Sequence, residues 1–157
     1  MRWIEEAKKY IGEREIKGLE HNPLIVQWWK DIKRGGIKDD ETPWCAAFVG
    51  AMLERVGIKS TRFESAKSYM EWGVPLSGPI PGCIVVMTRQ GGGHVGFVMG
   101  VTDGGRIVVL GGNQSDAVGY AAFDMARVTG YRWPAGEPMP DCLSLTYMNA
   151  AGSTRES

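Results

Sequence analysis

Apolar residues in the first half of the chain recur every three or four positions, the spacing of helices that bury one side. Ile4, Ala7 and Ile11 share a face of a helix predicted from Trp3 to Ile11 and closed by Gly12. Asn22-Pro23 has the form of a helix start, and Leu24, Ile25, Trp28, Trp29 and Ile32 follow as its apolar side until Gly35-Gly36. A third helix is predicted to open at Thr42-Pro43, a capping hydroxyl followed by a residue suited to the first turn. Cys45, Phe48, Val49, Met52, Leu53 and Val56 line one face of it, Glu54 and Arg55 fall elsewhere, and Gly57 ends it. Ser65 to Trp72 reads as a further short helix, and Gly73 to Gly82, with Pro75, Pro79 and Pro81, as a turn-rich connection.

From Cys83 the pattern changes to short β-rich runs between glycine-bearing turns. Cys83 to Met87, His94 to Val101, Arg106 to Leu110, Val118 to Phe123 and Val128 to Trp133 are the predicted strands of a meandering antiparallel sheet. Asp103-Gly104-Gly105 marks a hairpin between two of them. Helices first and strands second predict an α+β domain. At 157 residues and 43% hydrophobic content the chain has material for one core. We expect one catalytic domain over 1–140 and a C-terminal tail, 141–157, that is partly disordered, since its end from Asn149 to Ser157 is polar.

Charge excludes more than it suggests. Eighteen basic residues balance eighteen acidic ones, so nothing in the net field recommends nucleic acid as a partner. No stretch has the length and apolarity of a membrane span, and the N-terminus lacks a signal-peptide pattern, so synthesis in the cytoplasm is expected. Cys45, Cys83 and Cys142 are widely spaced without a C-x-x-C pair, which predicts three thiols, no metal site and no cofactor.

The position of Cys45 is the strongest chemical signal. As the third residue of its predicted helix it meets amide N–H groups that lack intrahelical acceptors and the positive end of the helix dipole. That setting is expected to lower a thiol pKa from its usual value of roughly 8.5. On position alone a small buried hydrophobe is an equal reading of the same residue. A cysteine nucleophile needs a base and a group that orients the base. His94 starts a strand after Gln90-Gly91-Gly92-Gly93, and Gly96 leaves its face without a neighbouring side chain, a geometry expected to keep one side of the imidazole open. His21, in a polar loop, reads as a solvated surface residue. Asn113, in Gly111-Gly112-Asn113-Gln114 past the end of the neighbouring strand, is the candidate orienting residue, with Asp116 as a weaker one. By itself the same tetrapeptide reads as a turn.

Taken together, Thr42-Pro43-Trp44-Cys45-Ala46-Ala47-Phe48-Val49, Pro81-Gly82, Gly93-His94-Val95-Gly96-Phe97 and Gly111-Gly112-Asn113-Gln114 resemble the CHAP and NlpC-type cysteine peptidases and amidases. Similarity is greatest to a compact branch found in bacteriophage lysis proteins and related bacterial genes, and it extends from about Glu15 to Pro134. The resemblance implies a papain-like fold, with the nucleophile helix packed on an antiparallel sheet, and hydrolysis of an amide in the peptide part of the bacterial cell wall. Cys45 matches the family nucleophile, His94 the base and Asn113 the third residue. Trp44, Gln114 and Asp40 are the expected substrate-binding residues, and Gln27 and Gln114 are candidate oxyanion donors by residue type alone. Two departures stand out: Cys83 where the families often carry aspartate, and Gly111 where many CHAP enzymes carry an acidic residue. The implied partner is bacterial peptidoglycan, reached by a monomer after release from the cell that makes it. An interbacterial toxin amidase of the same fold and a non-catalytic wall-binding or virion module are the alternatives.

Overall fold

The computed structural model describes residues 1–16, 21–34, 44–89 and 92–152. Among the described residues three α-helices precede the sheet: α1 (Arg2–Lys8), α2 (Pro23–Asp31) and α3 (Cys45–Arg55). A 3₁₀ turn (Ala66–Glu71) leads to β1 (Val74–Leu76), β2 (Ile84–Arg89), β3 (Gly92–Val101), β4 (Ile107–Gln114), β5 (Ala117–Phe123), β6 (Val128–Trp133) and β7 (Thr146–Tyr147). The fold is α+β, as the order of patterns predicts.

Local chemistry explains the helix starts. Asn22 caps α2 by accepting the Leu24 N–H at 2.9 Å, while its own amide donates to Arg14 O at 2.8 Å and ties the helix to the preceding loop. Trp28 and Trp29 are both fully buried, and the Trp28 ring meets Tyr10, Trp44 and Phe48 at centroid distances of 5.5, 5.8 and 5.3 Å. Each such aromatic contributes about 2–3 kcal/mol by leaving water. Helix α3 differs from its expected amphipathic form, because every residue from Cys45 to Leu53 is buried. Alanine and glycine on the far side of Phe48 and Met52 let α1, α2 and the sheet close around it. A helix apolar all round belongs inside.

The sheet runs in the order β1-β6-β2-β3-β4-β5, antiparallel throughout. Strands β2 to β5 form the expected meander, but β6 returns to the outer side of β2 and carries β1, which replaces part of the predicted turn-rich connection. The hairpin at Asp103 to Gly105 is present, with the Thr102 N–H donating to Arg106 O at 2.8 Å and Gly105 at a φ of +83°. Within the expected tail, residues 141–152 are described. β7 pairs parallel with β3 at Gly100↔Thr146 and Val101↔Tyr147, and the Ala122 N–H donates to Ala151 O at 2.9 Å. Two features make room for it. β2 stops pairing at Phe97, which leaves this stretch of β3 with an open edge, and a Cβ on Gly100 would stand 2.5 Å from Thr146 O.

Gly96 also has a different role from the expected one. A Cβ there would lie 2.3 Å from Val109 Cγ1 and 3.2 Å from Leu110 O, so its bare backbone lets β4 close on β3 and seals the sheet beside His94, which is fully buried. We predict that Gly96→Ala destabilises the protein by about 2 kcal/mol through overpacking, read as a lower urea midpoint at unchanged m-value. An unchanged midpoint would contradict this account of the β3–β4 contact.

Candidate active site

Helix α3 starts at Cys45, with Trp44 at the N-cap in a non-helical conformation (φ −117°, ψ 17°) and no side-chain cap. Cys45 is therefore the first helical residue and not the third, while the predicted cap Thr42, together with Pro43 and Asp40, lies outside the described residues. The shift preserves the electrostatic setting. The first intrahelical bond runs from the Phe48 N–H to Trp44 O at 3.0 Å, which leaves the amides of Cys45, Ala46 and Ala47 ahead of it. The N–H groups of Cys45 and Ala46 act on the sulfur, and so does the Val95 N–H from β3. Val95 follows His94 directly, so the Cys45 sulfur lies against the β3 backbone beside the base candidate.

The ionisation of the thiol contradicts the sequence expectation. Burial pushes Cys45 up to about 11, while the Val95 N–H, the positive charge of Arg89 and the helix-end amides pull the other way. With 4% of its surface exposed, the sulfur loses more from dehydration than the helix end returns. Cys45 is a protonated thiol at neutral pH. Cys83 is likewise buried, and burial pushes it up to about 12.

His94 lies on β3, its ring stacked on Phe123 at 5.5 Å between centroids and 28° between planes. Its Nε2 is 3.0 Å from Gln114 Oε1. Gln114 is held in turn, because its amide nitrogen donates to Gly119 O at 2.7 Å and to Val109 O at 3.2 Å. Asn113, the expected orienting residue, is buried on β4 at a φ of +59°, and its Oδ1 has no hydrogen-bond partner among the described residues. A β-bulge causes the exchange. β4 pairs with β5 at Gly111↔Gly119 and then at Gln114↔Ala117, so β4 carries one extra residue. An extra residue reverses the alternation of side chains along a strand, which brings Gln114 onto the face of Gly111. The chain turns back immediately through Ser115 and Asp116, both at positive φ (+54° and +62°), the signature of a two-residue type I′ hairpin. Gly111-Gly112-Asn113-Gln114 is thus strand, and Asp116 belongs to the turn.

The remaining expected site residues sort by burial. Trp44 is fully buried against Trp28, and Gly112 packs on it so closely that a Cβ there would come within 2.8 Å of its ring. Its side chain packs the start of α3. Gln114 is committed to His94 and two carbonyls rather than to a substrate. Gln27 is exposed on α2, donates to Asp31 at 2.9 Å and sits near Glu54 and Arg55 at the opposite end of α3 from Cys45. The sequence reading missed Arg89, at the end of β2, whose charge favours the Cys45 thiolate and whose Nε donates to Gly93 O at 3.0 Å. It also missed the Val95 amide, which no side-chain pattern reveals.

Residues 37–113 match the family model described as the CHAP domain. The match takes in Cys45 and His94 and ends at Asn113, one residue before the partner of His94. Proteins of this family are in general cysteine- and histidine-dependent amidases or peptidases acting on peptidoglycan. A helix N-terminus bearing a cysteine, set against the histidine strand of an antiparallel sheet, falls within the segment 37–113 that carries the CHAP domain.

Proposed function

We propose that the protein is a peptidoglycan hydrolase that cleaves an amide in the peptide part of the bacterial cell wall through a Cys45 thioester. The observation that carries the proposal is the meeting of the Cys45 sulfur, at the end of α3, with the start of β3 next to His94, inside the matched CHAP segment. The setting we favour is wall lysis of the endolysin kind, on the strength of the resemblance to compact phage lysis proteins.

Burial keeps the Cys45 thiol protonated at rest, so activation falls to the base. His94 takes the Cys45 proton as sulfur attacks the amide carbonyl and the C–S bond forms. The Cys45 backbone N–H, ahead of the first helical bond, donates to the oxygen that gains negative charge. The imidazolium then gives its proton to the leaving amine as the C–N bond breaks, which leaves a thioester. Water attacks that thioester while His94 takes its proton, the C–S bond breaks, and the thiol is restored with the proton held by the ring.

Two outcomes test this reading. Sacculi incubated with the wild type are expected to release fragments whose new amine and carboxyl ends are identified by mass spectrometry. Cys45→Ala and His94→Ala are each expected to lower release by at least about 10³-fold. Equal solubilisation by wild type and Cys45→Ala would overturn the mechanism. Because burial holds Cys45 up at about 11, alkylation of Cys45 by iodoacetamide should be slow at pH 7 and rise as pH approaches that value, while exposed Cys142 is labelled first. Fastest labelling at Cys45 at pH 7 would mean that the thiolate is preformed.

A further inference from the structure

We infer that Gln114 is the residue that positions the His94 imidazole, fixing its proton on Nε2 so that Nδ1 is the nitrogen that meets the Cys45 proton. The inference rests on the cysteine–histidine reading above and names a residue that the family match, ending at Asn113, does not reach.

The chemistry of the Gln114 amide decides its own orientation. Its two contacts opposite the histidine are the carbonyls of Val109 and Gly119, at 3.2 and 2.7 Å, and a carbonyl accepts only from N–H. The NH2 group therefore faces those carbonyls and Oε1 faces the ring, at 3.0 Å from Nε2. An amide oxygen cannot donate, so the ring must hold a hydrogen on Nε2. In a neutral imidazole the remaining nitrogen, Nδ1, then carries the lone pair. The two backbone carbonyls that hold Gln114 come from β4 and from β5 across the hairpin, so the tautomer is set by the sheet.

Gly111 completes the arrangement. A Cβ on residue 111 would stand 2.5 Å from Gln114 Oε1 and 3.5 Å from His94 Nε2. A side chain at 111 and the Gln114 amide compete for one place against the ring, and the glycine cedes it. The extra residue in β4 is what swings Gln114 into that place. Other charged and titratable groups bear on the same region. Cys45 adjoins from α3 and Arg89 from β2, Lys67 packs by its Cγ near Gly93 from the 3₁₀ turn, and Arg127 lies over the Phe123 ring at 5.3 Å.

The full-length protein carrying Gln114→Met, Gln114→Glu or Gly111→Ala tests the role against sacculi. Gln114→Met keeps the shape and removes the acceptor, so kcat is expected to fall about 10²-fold with KM changed much less. Gly111→Ala should produce a similar loss with Gln114 intact. Gln114→Glu restores an acceptor for the Nε2 hydrogen but adds a negative charge, which favours the imidazolium. Because the base must be unprotonated, the acid limb of kcat/KM should move up by about one pH unit. A residue that merely packed the hairpin would change the folding midpoint and leave that limb in place. The pH dependence of Cys45 alkylation gives a readout that needs no substrate. At pH 7, Gln114→Glu should speed it by about tenfold, since an imidazolium steadies a neighbouring thiolate, and Gln114→Met should not. Unchanged alkylation profiles in both variants, or kcat within twofold of wild type in both, would overturn the inference. Loss of activity in Cys45→Ala together with wild-type behaviour of the Gln114 variants would leave the hydrolase standing and remove only the positioning role.

Discussion

The burial of the Cys45 sulfur where α3 meets β3, against the backbone beside buried His94, is the constraint on which the rest of the structure turns. Taking the Cys45 sulfur out of water raises the cost of ionising it by more than the helix-end amides, the Val95 N–H and Arg89 offset. The thiol is consequently protonated at rest, and in the proposed reaction its charge is created only as sulfur attacks. In the proposed mechanism that places the burden of catalysis on the geometry of the imidazole. A neutral ring with two non-equivalent nitrogens is useful only when the correct one faces the thiol. The packing of Phe123 on one face of the ring and the Gln114 amide on its Nε2 edge meet that demand.

The rest of the fold serves this junction. Helix α3 is enclosed on all sides and holds the Cys45 sulfur in the interior. The Trp28, Trp44 and Phe48 rings anchor the start of the helix from one side. From the other side, Gly112 lets the β4 backbone press on Trp44, and Gly96 lets β4 close against β3. The two glycines do work that a side chain would prevent: they fix the separation between the helix bearing the sulfur and the strands bearing its partners.

Much of this was legible in the chain. The helical spacing of Phe48, Val49, Met52 and Leu53, the cap at Asn22, and the hairpin at Asp103 to Gly105 each follow from local rules, and the structure agrees with them. The reading failed where non-local terms dominate. The thiol's position at a helix end suggested easy ionisation, but desolvation depends on what α1, α2 and the sheet pack around it. Gly96 was read as opening space beside His94, whereas it closes it. Asn113 was chosen because the strand from Arg106 to Leu110 should neighbour the His94 strand and runs on into Gly111-Gly112-Asn113-Gln114, and because it matches the family's third residue. One extra residue in β4 undoes that inference, and a bulge of this kind leaves little trace in composition. The available clue was the glycine at 111, which vacates the ring's neighbourhood for something else.

The protonation state of the ring tests the central claim most directly. The chain contains two histidines, His21 and His94, so the imidazole nitrogens of ¹⁵N-labelled protein are assigned with a single His21→Gln variant. At a pH above the imidazole titration, long-range ¹H–¹⁵N correlation is predicted to show His94 with its hydrogen on Nε2 and a lone-pair signature at Nδ1. A hydrogen on Nδ1, or an averaged pair of tautomers, would contradict the account.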